Sequence, residues 1–164
     1  MVARRTLRAV LLGVAVVASC TRPSPQTGQV PPADPHQRAC DGGNMQECFD
    51  LGVTYEAGRG VARSDTRAAE FYQRACDGGN AKGCGGLGWM YATGRGVTQS
   101  DTLAVELFRR ACDGGAMTGC SNLGAMYQAG RGVTKSDTRA AEFYQRACNG
   151  GYTEACDRVR RERP

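Results

Sequence analysis

The residues with the greatest chemical potential in this chain are its nine cysteines, which accompany a single histidine. Eight of them form four pairs whose partners are eight positions apart, and the pairs recur every 36 residues: Cys40 and Cys48, Cys76 and Cys84, Cys112 and Cys120, Cys148 and Cys156. Two such thiols can form a disulfide or bind a metal ion. Zinc sites favour cysteines about two to four residues apart with histidines nearby, and one histidine, His36, cannot serve four pairs. We expect four local disulfides formed in an oxidising compartment, with metal ligation as the alternative.

The 36-residue period also predicts the architecture that positions these pairs. Periods of this length are typical of solenoids, in which each unit buries its apolar face against its neighbours. Each unit contains one helix with Cys, Leu, Gly and Tyr on a single face, here called the A helix, and a second apolar helix, here called the B helix. The A helices begin near Cys48, Cys84 and Cys120, and the B helices begin near Asp65, Asp101 and Asp137. The sequence therefore predicts an all-α fold.

The boundaries of the predicted domain follow from the same period. Three full helix hairpins are expected at residues 45–76, 81–112 and 117–148 within a repeat domain of residues 36–164. A truncated B-like segment near 36–41 and an A-like segment at 153–163 would cap the array. Glycines on the apolar face of the A helices predict close approach of a neighbouring helix, and further glycines are expected to end these helices in a left-handed conformation. The first set is Gly52, Gly88 and Gly124, and the second is Gly58, Gly94 and Gly130.

The N-terminal segment has the pattern of an export signal. Basic residues precede a short apolar run in residues 1–19, and this run ends at Cys20 in the sequence Val-Ala-Ser-Cys, which resembles the bacterial lipoprotein box. That resemblance implies cleavage before Cys20 and attachment of lipid to it, with an ordinary signal peptide as the alternative. Residues 20–35 contain five prolines among polar residues, so we expect an extended tether between the lipid and the repeats.

The repeated motif resembles a known family. Leu-Gly-x-x-Tyr-x-x-Gly-x-Gly-Val, then Asp-x-x-x-Ala, then Ala-Cys-x-Gly-Gly is similar to the Sel1-like repeat, and the paired cysteines resemble the secreted cysteine-rich subgroup typified by the Helicobacter cysteine-rich proteins. The resemblance covers essentially all of residues 36–160. It implies an α/α right-handed superhelix, a solenoid of helix hairpins related to tetratricopeptide repeats and linked here by disulfides. It also implies a scaffold that binds proteins or peptides.

Some members of that subgroup are described as β-lactamases or penicillin-binding proteins, so enzymatic activity is the alternative function. The sequence has no Ser-x-x-Lys motif, no Gly-x-Ser-x-Gly motif and no phosphate-binding loop. A zinc hydrolase needs a histidine-rich site, which one histidine does not provide. We therefore identify no catalytic residue, no metal site and no cofactor, and we expect a scaffold, with β-lactamase-like hydrolysis or binding of penicillin or peptidoglycan fragments as the alternative.

Candidate ligand contacts come from positions that vary between the copies. In the implied superhelix the A helices line the concave groove, and two positions of these helices differ in every repeat. They are occupied by Asp50, Gly86 and Asn122 and by Val53, Trp89 and Ala125. Trp89 would be an aromatic anchor of the kind enriched at binding hot spots, or it packs between repeats. A second ladder of Arg59, Arg95 and Arg131 either binds carboxylates of a partner or pairs within the chain.

The charge balance limits the class of partner. The chain carries 21 basic and 16 acidic residues, and without the three arginines of residues 1–19 the excess falls to about two positive charges. This near-neutral surface does not favour nucleic-acid binding. We expect an exported monomer in the bacterial cell envelope, anchored by lipid at Cys20 and facing the periplasm or the cell exterior, with a protein or peptide as its partner.

Overall fold

Helices account for most of residues 34–162, the part of the chain that this computed structural model describes. In chain order they are α1 (Pro35–Asp41), α2 (Met45–Ala57), α3 (Asp65–Asp77), α4 (Ala81–Thr93), α5 (Asp101–Asp113), α6 (Met117–Ala129), α7 (Asp137–Asn149) and α8 (Thr153–Glu162). The even-numbered helices are the A helices and the odd-numbered ones are the B helices. The expected signal peptide, Cys20 and the tether up to residue 33 lie outside the described residues.

The helix ends follow from short side chains and glycines at fixed places in each repeat. The hydroxyl groups of Ser64, Ser100 and Ser136 accept hydrogen bonds from backbone N–H groups in the first turns of α3, α5 and α7. The A helices end at Gly58, Gly94 and Gly130, whose φ angles of +67°, +71° and +69° lie in the left-handed region. The predicted glycine ends are thus confirmed.

Consecutive helices pack as antiparallel hairpins stacked into a solenoid, and neighbouring A helices also contact each other, α2 with α4 and α4 with α6. The expected α/α solenoid is confirmed. The predicted close approach occurs at the glycines of the A helices. A Cβ placed on Gly52 would lie 2.5 Å from the ring of Tyr72, and one placed on Gly88 would lie 2.8 Å from the ring of Phe108.

All four expected disulfides are present, each joining the last turn of a B helix to the first turn of the next A helix. The bonds are Cys40–Cys48, Cys76–Cys84, Cys112–Cys120 and Cys148–Cys156, with Cα–Cα distances of 4.5–4.8 Å. Paired in this way, these thiols cannot ligate a metal, so the alternative proposed for them is excluded. Intramolecular disulfides at every junction indicate an oxidising, exported location.

No helix within residues 34–162 has the length and apolar character needed to cross a membrane.

Candidate ligand groove on the A helices

A groove of about 560 Å³ runs across the A helices and the turns that precede them. We call it the A-helix groove. Its walls come from α2, α4, α6 and the turns before α6 and α8, so that four successive units contribute to one surface. The lining residues are Phe49, Lys82, Gly85, Gly86, Trp89, Gly115, Ala116, Met117, Thr118, Asn122, Gly150, Gly151 and Tyr152.

Trp89 is the most unusual side chain in this groove. It lies on α4, two residues after the buried Leu87, and 47% of its surface is exposed. Its neighbours in sequence, Gly88 and Met90, are buried against the core. Because consecutive helical positions point in different directions, the buried neighbours fix α4 and leave the indole at the surface. The exposed indole offers a large, rigid apolar surface to a ligand.

Beside Trp89 the groove is lined by two residues of α4 that have no side chain, Gly85 and Gly86. A Cβ placed on Gly86 would lie 3.1 Å from the ring of Tyr72, so this ring packs directly against the outer face of α4 at that glycine. Tyr72 also packs against Phe49, with ring centroids 5.8 Å apart. Burial, together with a hydrogen bond to the carboxylate of Glu56 (2.7 Å), raises the pKa of Tyr72, which keeps its phenol protonated. Phe49, which lines the groove, therefore rests on a second aromatic ring that carries no charge.

Polar groups are few along these walls. Lys82 is the charged residue among the lining side chains, and Asn122 and Thr118 provide an amide and a hydroxyl. Such a surface suits a ligand with an apolar or aromatic group for Trp89 and hydrogen-bonding groups on either side.

The structure brings together three of the six residues predicted for the groove, namely Gly86, Trp89 and Asn122. Asp50 is exposed on α2, where its carboxylate accepts a hydrogen bond from Gln46 (3.0 Å), but it does not line the groove. Val53 and Ala125 are half-buried and pack against the core. They occupy the same repeat position as Trp89, yet their smaller side chains are covered by neighbouring helices where the indole extends beyond them.

Sequence reasoning missed several lining residues, above all Phe49, Lys82 and Tyr152. Phe49 directly follows a disulfide cysteine, at a repeat position that Gly85 and Ser121 occupy in the next copies. Lys82 and Tyr152 follow the Gly-Gly turns, where the copies also differ from one another. A comparison of the copies that included these turns would have found both positions.

The arginine ladder pairs within the chain where a preceding repeat is present. Arg95 donates two hydrogen bonds to Asp65, 3.1 Å from Nε to Oδ2 and 2.9 Å between the second pair of atoms, and another to Glu56. Arg131 binds Asp101 in the same way. These contacts join adjacent repeats, so both arginines pair within the chain. Arg59 is exposed.

Within the same described range, no group of three or more His, Cys, Asp or Glu side chains is placed to hold a metal ion.

These features define a class of protein, a disulfide-linked solenoid of helix hairpins with an open groove on one face. Three stretches of the chain, residues 48–80, 81–115 and 118–152, match the family model described as Sel1 repeat. Because these stretches make up more than half of the chain, the protein belongs to the Sel1 repeat family. A comparison with curated protein sequences gave no match.

Solved structures agree with this assignment. A Sel1 repeat protein from Oxalobacter formigenes superposes with a TM-score of 0.68 at 34% identity, covering 76% of this chain and 94% of that one. The protein c5321, a protective antigen of uropathogenic Escherichia coli strains with an SLR fold, gives 0.72 at 31% identity, with 76% and 27% covered. Cysteine rich protein B of Helicobacter pylori gives 0.59 at 26% identity, with 74% and 87% covered.

Proposed function

We propose that this protein is an envelope scaffold whose A-helix groove binds a segment of a partner protein, with Trp89 as the central contact. The observation that carries the proposal is the half-exposed indole at the centre of a groove built from three A helices. Large apolar side chains are normally buried, and an exposed tryptophan in a concave surface is typical of a binding hot spot. Membership of the Sel1 repeat family, whose fold is that of a protein-binding repeat scaffold, supports the same function.

The groove favours an extended segment over a folded domain. Its glycine-rich walls, which include Gly85, Gly86 and Gly115, let a peptide backbone approach the helices closely. One apolar or aromatic side chain of that segment would stack on Trp89, and a carboxylate or carbonyl group would meet Lys82. Each disulfide fixes an A helix to the B helix before it, so little ordering accompanies binding.

The experiment compares capture of envelope proteins by three immobilised forms of the chain: the unmodified protein, Trp89→Ala and Leu103→Ala. Leu103 is a matched control because it is also exposed, at 42%, but lies on α5 outside the groove. A partner should be retained by the unmodified protein and by Leu103→Ala, and lost from Trp89→Ala. Removing a hot-spot side chain costs at least about 2 kcal/mol, or roughly a 30-fold loss of affinity. Equal retention by Trp89→Ala would contradict the proposed groove.

Anchoring by lipid at Cys20 is the second part of the proposal. It is supported by the Val-Ala-Ser-Cys sequence after a short apolar run and by the odd cysteine that has no partner at the repeat spacing. Cells that express the protein should incorporate a labelled fatty acid into it, and Cys20→Ser should abolish the label. Label that persists in this variant would exclude Cys20 as the site of attachment.

A further inference from the structure

The same B-helix sequence occurs twice in the chain, but its surface is covered by a following loop in only one of the two places. Residues 64–76, which include α3, are identical to residues 136–148, which include α7. The start of α3 is covered by the loop of the next repeat, Gly94–Val97. The described part of the chain leaves the start of α7 open, with a cavity of about 950 Å³ beside it.

The covered copy shows in detail what this surface binds. Arg95 forms a bidentate pair with Asp65 and a third hydrogen bond with Glu56 at 2.9 Å. Gly96 has a φ angle of +69°, and a Cβ placed on it would lie 2.2 Å from the backbone oxygen of Asp65. Val97 then packs in the apolar cluster that contains Ala69. The surface thus selects an arginine, a glycine and a small apolar residue in that order.

The middle repeat uses the same contacts. Arg131 pairs with Asp101, and a Cβ on Gly132, whose φ angle is +67°, would lie 2.4 Å from the backbone oxygen of that aspartate. The preference for Arg-Gly-Val is therefore a property of the junction and not of one copy.

On α7 the receptor groups are present and exposed. The side chain of Asp137 is 74% exposed, whereas that of Asp65 is 27% exposed under its arginine. Gln128 stands where Glu56 stands in the first repeat, and Thr138, Ala141 and Val159 complete the cavity wall. Lys135 lies 3.9 Å from Asp137. Arg63 has the same repeat position and lies 3.3 Å from Asp65, and Arg95 binds that aspartate at the same time.

We infer that the start of α7 is a second binding site, distinct from the A-helix groove, for a partner segment with the sequence character Arg-Gly-Val. The partner's arginine would take the place of Arg95, its glycine would lie against the backbone of Asp137, and its apolar residue would contact Ala141. Helix α8 is not suited to pack against a B helix on its other side. It carries Arg160 at the repeat position of Gly88, where the following B helix approaches α4 closely.

A second copy of the chain fits this surface less well. Its exposed loop Gly58–Val61 has the same four residues as the bound loops. However, α2 leads directly into that loop and would pass through the space that α8 occupies on α7. A flexible segment meets no such obstacle.

The probe is the peptide Thr-Gly-Arg-Gly-Val-Thr-Gln, residues 93–99 of this chain, titrated into the full-length ¹⁵N-labelled Cys20→Ser protein. We expect NMR shifts at the amides of Asp137, Thr138 and Ala141. The amides of Asp65, Thr66 and Ala69 have the same sequence but are already covered, and they should not move. Peptides with alanine in place of the second glycine, or glutamine in place of arginine, should not bind.

Asp137→Asn should weaken the peptide's affinity by about tenfold because a charged hydrogen-bond partner is lost, whereas Glu154→Gln, an equal change of charge on α8, should have no effect. Joining the peptide to the C-terminus by a flexible linker raises its effective concentration to about the millimolar range, so weak binding is also detected. Equal shifts with the alanine peptide, or no shift at α7 even with the joined peptide, would overturn the inference. A dimer that depends on Arg59 would assign the surface to a second copy and also overturn it.

Discussion

Removal of the central disulfide, Cys76–Cys84, tests how the junctions stabilise the solenoid. Both sulfur atoms are buried, and the bond joins α3 to α4 in the middle of the array. The double substitution Cys76→Ala and Cys84→Ala removes the bond and leaves small apolar side chains that cause no new polar burial. The neighbouring disulfides stay intact, so the variant isolates one junction.

The expected loss of unfolding free energy follows from the length of the loop that the bond closes. The cysteines are separated by 8 positions, and closing a loop of about nine residues lowers the entropy of the unfolded chain by an amount worth about 2.6 kcal/mol at 25 °C. A domain of this size is stable by only about 5–15 kcal/mol. Loss of this bond should therefore remove a substantial fraction of the unfolding free energy.

Urea unfolding followed by far-UV circular dichroism without reductant measures this change. The matched control is Cys148→Ala with Cys156→Ala, which opens a loop of equal length at the last junction. Because contacts in a solenoid are between neighbours, the control should mainly let α8 fray and shift the main transition less. If the central variant unfolds within about 0.5 kcal/mol of the unmodified protein, the claim that this bond stabilises the array is wrong.

Other predictions concern the glycines and the arginine ladder. Gly88→Ala should lower the unfolding free energy by up to about 2 kcal/mol, because the crowding at Phe108 costs more than helix propensity returns. Gly85→Ala, whose Cβ would have its nearest neighbour at 3.7 Å, should raise it by up to about 1 kcal/mol in the same urea assay. Hydrogen bonds from Arg95 and then Arg63 lower the pKa of Asp65 to about 2. Stability from this pair is present above about pH 4 and is lost as the pH falls toward 2. Arg95→Gln should make that acid loss shallower in thermal melts, and an unchanged pH profile would contradict the pairing.

Much of the fold could be predicted because the same physical constraints recur every 36 residues. Glycine is a poor helix former, so its recurrence within the A helices predicts that another group packs closely there. The rings of Tyr72 and Phe108 do so at Gly52 and Gly88. Likewise, Ser64 before an acid predicts the start of α3, and Gly58 predicts the end of α2. Each local preference agrees with the fold, so the helices and their order could be predicted from the repeated pattern.

The site was less predictable because it depends on how repeats stack. Trp89, Val53 and Ala125 share one repeat position, and only side-chain size and neighbouring helices decide that the first is exposed and the others packed. Arg95 pairs within the chain, but the sequence does not identify its partner Asp65, which lies 30 residues earlier. That pairing depends on how successive repeats stack, which cannot be predicted from the periodicity of a single helix.

The central claim is that the face of α4 around Trp89 contacts a partner protein. Incorporation of a photo-crosslinking amino acid at position 89, compared with the same amino acid at position 103, tests it in living cells. The account predicts a discrete crosslinked partner from position 89 and none from position 103. Crosslinks from position 103 alone, or no crosslink from position 89 when the protein is folded and exported, would contradict it.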